Sequence, residues 1–279
     1  MCRMKFAQLC SLFRAVHFAS GRFAPSETGY NLDRVSLRSV PGSTEAYATD
    51  GKCIAFWSIA SEIEGFEHGR QMLLEAGGST ILGERRWYTS HVRLEPQGDD
   101  PSTWRFILDP RNSRDNQSQI CFVDHYVSDT PRYPRLLEHI LPVTPYWDPA
   151  NASNHRLQSD KETLEEFLRS FLDPARTFYH VCGNKRTVSR SAMLPRSVRV
   201  HGDVCFDLNT EPLLDWLEIL PVDAQVTGHF STESPESVWH SSYGHRLLLF
   251  PVVRRRSSWT DSDPTEPVCV FSKMCSGWG

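Results

Sequence analysis

Asp50-Gly51-Lys52-Cys53-Ile54-Ala55-Phe56-Trp57-Ser58-Ile59-Ala60-Ser61-Glu62-Ile63-Glu64-Gly65 is the stretch on which the fold reading turns. Phe56, Ala60 and Ile63 recur at helical spacing, Asp50 is a good N-cap and Gly65 closes the run, so the pattern predicts a helix with Cys53 in its first turn. There, unpaired backbone N–H groups and the helix dipole favour thiolate over thiol, which is what a nucleophile requires.

Further along, the period changes to two. Tyr88, Val92 and Leu94 alternate with Thr89, His91 and Arg93, and Trp104, Phe106 and Leu108 alternate with Arg105, Ile107 and Asp109. The polar stretch from Pro96 to Ser102 between them makes a β-hairpin the natural reading. Placing Val92 and Leu94 on one buried face with Phe106 and Leu108 sets His91 directly across from Asp109. A carboxylate beside His91 fixes the imidazole tautomer, and the imidazole can then take the thiol proton of Cys53. Cys53 as nucleophile, His91 as general base and acid, and Asp109 as orienting group form the expected catalytic set, with the Cys53 backbone N–H as an oxyanion donor and a second donor sought near Tyr47.

Gly51-Lys52-Cys53, Ser90-His91-Val92-Arg93-Leu94-Glu95 and Trp104-Arg105-Phe106-Ile107-Leu108-Asp109-Pro110 resemble, in order, the three core motifs of the transglutaminase-like cysteine enzymes. The resemblance covers residues 50–110. It implies an α+β fold with a papain-like core, a Cys-bearing helix packed on an antiparallel sheet with a strand-rich C-terminal extension, and thiol-dependent acyl transfer or amide hydrolysis through a thioester on Cys53. Arylamine N-acetyltransferases share the order of Cys, His and Asp and give a second reading. Asp50-Gly51-Lys52-Cys53 with His245 resembles the ovarian-tumour-type deubiquitinases and gives a third. A catalytically inactive binding protein on the same fold is the opposing class.

Around these motifs lies a chain of 279 residues, long enough for a substantial core, with 39% apolar and 23% charged residues, the profile of a globular chain. The longest apolar run, Leu247 to Val253, contains Pro251 and falls far short of the roughly 20 residues of a spanning helix, so no membrane partner is expected. Thirty basic against thirty-four acidic residues give a net charge of −4, which offers no general pull on a polyanion. A nucleic acid is therefore not expected as partner, and such a role would need a local basic patch. Peptide, protein or small acyl or amine substrates are expected instead.

The eight scattered cysteines form no Cys-x-x-Cys pair and point to a reducing, cytoplasmic setting without a disulfide framework. His180, Cys182, His201 and Cys205 suit core strands better than zinc, and Asp124-His125 lacks the spacing of an iron triad; no metal and no cofactor are expected. Val188 stands where a tyrosine-phosphatase loop after Cys182 would need arginine.

The first 26 residues hold Arg3, Lys5, Arg14 and Arg22 and no acid, with Phe6, Leu9, Phe13 and Val16 on one helical face. An N-terminal helix packed on the body is the plainer reading, and a mitochondrial presequence the alternative. Residues 1–30 are thus read as an N-terminal helix, 31–130 as the core and 131–279 as a substrate-side subdomain. Within the last, Leu164 to Leu172 behind Asp160 reads as a helix, Leu213 to Leu220 as a short helix or strand, and Val198 to Leu208 and His245 to Val253 as strands.

Overall fold

In the computed structural model, the structure describes residues 2–21, 32–51, 53–75, 87–96, 104–109, 119–123, 125–126, 154–172, 178–181, 186–190, 197–200, 206–231, 237–249, 252–254 and 267–269. Two compact units emerge: Met1–Asp50 with Ala55–Arg135, and Gly51–Ile54 with Leu136–Gly279.

The first unit opens with α1 (Phe6–His17), whose apolar positions Phe6, Leu9, Leu12, Phe13 and Val16 are buried. Its N-terminus is closed by the Lys5 backbone N–H donating to Gln8 Oε1 at 2.8 Å. Strands β1 (Arg34–Val40), β2 (Ser43–Thr49), β3 (Cys53–Ile59), β4 (Gln71–Glu75) and, later in the chain, β8 (His125–Tyr126) line up in the order β8-β4-β1-β2-β3. Antiparallel register sets Leu37 beside Ala46 and Met72, and Val35 beside Leu74. All five are buried, forming an apolar sheet face. Helix α1 lies against β1 and β2, where the small side chains of Ala46 and Ala48 permit close approach.

Strands β5 (His91–Pro96), β6 (Trp104–Asp109) and β7 (Gln119–Val123) form a second, three-stranded sheet. Residues 2–5 run extended between two neighbours. Met4 N–H donates to the Glu62 carbonyl at 2.8 Å, Glu62 N–H to the Cys2 carbonyl at 3.0 Å, and Val92 N–H to the Met4 carbonyl at 3.0 Å. At Gly65 (φ 83°) the chain passes so close to β5 that an added Cβ would lie 2.2 Å from the Leu94 carbonyl oxygen.

In the second unit, β16 (Arg246–Leu249), β15 (Ser237–Ser241), β14 (Gln225–Ser231) and β9 (Asn154–Asp160) follow one another across an antiparallel sheet. A four-stranded sheet holds β10 (Phe178–Val181), β11 (Arg186–Arg190), β12 (Ser197–Val200) and β13 (Phe206–Asn209), and β17 (Val252–Arg254) pairs with β18 (Pro267–Cys269). Helix α2 (Lys161–Leu172) starts where Asp160 accepts the Thr163 backbone N–H and hydroxyl, both at 2.8 Å. Helix α3 (Thr210–Ile219) packs against α2, β12 and β16 and buries Leu213, Trp216 and Leu217. On the sheet, the Trp239 ring covers Gly228, where an added Cβ would lie 2.7 Å from the indole.

Three expectations are corrected here. Residues 53–59 form a strand, not the opening of a helix: Cys53, Ile54, Ala55 and Phe56 are all buried, and a short continuous apolar run satisfies helical spacing and a buried strand equally well. Without a helix after Cys53, the α+β transglutaminase-like, papain-like core with its Cys-bearing helix is absent; what stands in its place is strand-rich, with α1 laid on the sheet. The segments 198–208 and 245–253 each hold two strands where one was expected, β12 with β13 and β16 with β17.

Candidate functional site

Among the residues expected to be catalytic, the structure pairs two and places the third differently. His91 and Asp109 stand opposite each other in the β5–β6 ladder, the register that apolar alternation predicts. The other flank of His91 is bridged by Lys5. Cys53 opens a strand and is buried, after Gly51 turns the chain at φ 83°. The helix end whose dipole was to favour its thiolate does not exist there, so that ground for a nucleophile is gone. Tyr47, near which a second oxyanion donor was sought, sits inside a polar ladder: Gln71 Nε2 donates to Ser36 Oγ at 2.7 Å and to the Tyr47 hydroxyl. Burial pushes the Tyr47 phenol up to about 12, leaving it a neutral structural group.

His245 is also structural. It is buried at the β15–β16 turn, its backbone N–H donates to Ser241 Oγ at 3.1 Å, and its Nδ1 lies 3.3 Å from the same oxygen. Burial lowers its pKa to about 4, so it is neutral at pH 7. On the opposite sheet face, His229 and His240 meet edge to face at 5.4 Å, and His240 is likewise lowered to about 4, first by burial and then by His229 and Arg246. Among the described residues no group of three or more His, Cys, Asp or Glu is placed to hold a metal ion. Cys182, His201, Cys205 and Asp124 lie outside the described residues. Among the described residues no helix is long and apolar enough to cross a membrane.

Charge on the helices is distributed unevenly. On α1, Ser11 and Arg14 are exposed, Ala7, Gln8 and His17 are half-buried, Lys5 is exposed at the N-cap, and there is no carboxylate. Arg14 Nη2 donates to the Tyr88 hydroxyl at 3.2 Å. Helices α2 and α3 together carry six carboxylates against two cations. Both cations are engaged: Lys161 Nζ donates to the Leu220 carbonyl at 2.7 Å, and Arg169 spans Glu165 at 2.7 Å and Glu218 at 3.0 Å. Sequence reading took the acid-free first 26 residues as a helix packed on the body, with a presequence as the alternative, and attached no role to its exposed face.

No family model matches the sequence, and no curated protein matches it. Solved structures do. A sliding clamp, DNA polymerase III subunit beta, from Pseudomonas aeruginosa bound to griselimycin superposes with a TM-score of 0.62 at 16% identity, over 90% of this chain and 64% of that one. The DNA polymerase III beta subunit of Thermotoga maritima gives 0.61 at 16% identity over 90% and 65%, and the Bacillus subtilis sliding clamp gives 0.61 at 12% over 91% and 64%. The chain thus spans just under two thirds of the length of these clamp chains, and at such identities the likeness is one of fold.

That likeness overturns the functional expectation. The neighbours are sliding clamps, not transglutaminase-like enzymes, and the acyltransferase and hydrolase readings fall with the fold that supported them, the acetyltransferase-like, deubiquitinase-like and inactive same-fold versions included. The exclusion of nucleic acid falls too, because these neighbours are clamps of a DNA polymerase. Net charge averages an acid-free helix with acidic ones, so by itself it does not exclude a polyanionic partner.

Proposed function

We propose that this chain is a non-enzymatic DNA clamp, a processivity factor that keeps a DNA polymerase on its template as part of a closed ring. The observation that carries the reading is the superposition on solved sliding clamps, which runs over nine tenths of the chain and so takes in both compact units.

The physical chemistry is consistent with it. A ring that encircles a polymer retains it by topology, so little binding energy is needed, and tight phosphate contacts would hinder sliding because each adds affinity and salt dependence. A chain of net charge −4 with a confined cationic surface suits such a role better than it suits affinity-driven binding. The reading is compatible with a cytoplasmic protein.

The test is retention on DNA. In an extract of the source cell, the tagged chain should remain on nicked circular plasmid through gel filtration and be released when one restriction cut linearises it, and it should lengthen the products of the cell's replicative polymerase. Equal retention on circular and linear DNA, with no change in product length, would overturn the proposal.

A further inference from the structure

We infer that His229 and His240, on neighbouring strands of the second unit, form a two-imidazole chelate for a divalent transition-metal ion of the nickel(II), copper(II) or zinc(II) kind. The inference is independent of the clamp reading.

Three observations carry it. First, the ladder places the pair. In the β14–β15 register His229 stands opposite Val238 and Thr227 opposite His240, so the two histidines take diagonal positions on one face of the sheet. Strand β14 is hydrogen-bonded on both flanks, to β9 and to β15, which fixes the spacing before any ion arrives.

Second, the spacing is that of two ligands on one ion. The ring centroids lie 5.4 Å apart with the planes at 87°. With a metal–nitrogen bond of about 2.0–2.1 Å and a ring centre about 1.1 Å beyond the nitrogen, two imidazoles on a tetrahedral ion have centroids about 5.2 Å apart. Rotation of the rings about their Cβ–Cγ bonds then suffices to turn one nitrogen of each toward a shared ion, with the strands unmoved.

Third, Nε2 of His240 is buried and has no hydrogen-bond partner among the described residues. A buried nitrogen left unmatched is costly, and coordination to an ion removes that cost.

The surroundings set the class of ion. Imidazole pairs suit the later transition metals, whereas magnesium and calcium take oxygen ligands. Among the described residues no third His, Cys, Asp or Glu completes a metal-holding group, so water or an incoming ligand fills the remaining positions. Arg246, opposite His240 in the β15–β16 register, opposes a bare dication and favours one that carries an anionic ligand such as hydroxide.

The measurement is calorimetric titration with nickel(II) of the full chain, first stripped of metal by a chelator and dialysed. The native chain is expected to bind nickel. His229→Phe and His240→Phe are each expected to weaken that binding about tenfold or more, because either leaves a single imidazole. His68→Ala, which removes an exposed histidine of the first unit, is expected to leave the affinity unchanged. A second readout needs no variant: in the native chain with isotope-labelled histidine, substoichiometric nickel should broaden two imidazole signals together, ahead of the others.

No nickel binding by the native chain, or unchanged affinity in either folded phenylalanine variant, overturns the inference. So does a native spectrum in which fewer than two imidazole signals broaden, or in which all broaden in parallel. Where a variant does not fold, the native spectrum decides. None of these outcomes touches the clamp reading, which stands or falls on retention by circular DNA.

Discussion

Helix α1 in one unit and the α2–α3 pair in the other are built by the same rule and finished in opposite ways. Each turns an apolar stripe onto an antiparallel sheet, Phe6, Leu9 and Phe13 in the first case, Leu164, Leu168, Leu213 and Leu217 in the second. The stripe is what folding demands, so it constrains residue type tightly; the outward face is not constrained by packing and is free to carry function. There α1 is cationic and acid-free, whereas α2 and α3 carry six carboxylates. The two helical surfaces thus differ in the residues that the core does not constrain.

The most forceful way to break the comparison is through the stripes. Phe6→Ala removes a fully buried ring shared by α1 and the 88–92 segment and should cost about 3–5 kcal/mol, read as a drop in the urea midpoint. A drop below about 1 kcal/mol would mean that α1 is not integral to its unit.

Acid separates the units by a second route. His240 and His245, both in the second unit, are held at about 4 in the folded chain, below the usual 6.5. Their folded pKa values lie below the unfolded one, so stability is complete above pH 6.5 and declines as pH falls toward 4, by about 2–3 kcal/mol for each imidazole. Urea titrations at pH 7.5 and 4.5 should show this loss, and His240→Phe should recover part of it; identical midpoints at the two pH values would refute the assignment.

A smaller effect is expected from Gly228→Ala. Its Cβ would enter the Trp239 ring at 2.7–2.9 Å, and since that indole is anchored by Nε1 donating to Ser237 Oγ at 3.0 Å, the overpacking should cost about 1–3 kcal/mol with a change in tryptophan fluorescence. Gly42, whose Cβ would meet nothing within 4 Å, is the control in the first unit, where only the positive φ of 79° is strained. The smallest loss is expected from Asp160→Ala, which removes an exposed cap from α2 and should lower the melting temperature slightly.

Sequence periodicity was informative where the signal is local. The β5–β6 register, down to His91 opposite Asp109, follows from alternation because a slip of one residue exposes one apolar row. Helix α2 behind Asp160 follows from a capping residue and an apolar repeat. Residues 53–59 defeated the same reasoning. Their apolar run is continuous because β3 is buried along most of its length, and such a run carries no period to read. The catalytic interpretation leaned on that ambiguity, since the helix end was one of the two grounds for activating Cys53, with His91 as the other.

What the sequence by itself determined is the set of segments able to bury an apolar face, the hairpin that joins two of them, and the absence of acid from the first 26 residues. Only the tertiary structure decided that residues 2–5 lie between 62–64 and 90–92, that β1 sits between β2 and β4, and that Tyr88 reaches Arg14 across 74 positions of chain. The reason is that apolar patterning is a property of neighbours along the chain, whereas strand order and side-chain pairing are settled by competition among distant segments for the same backbone edges and the same buried volume.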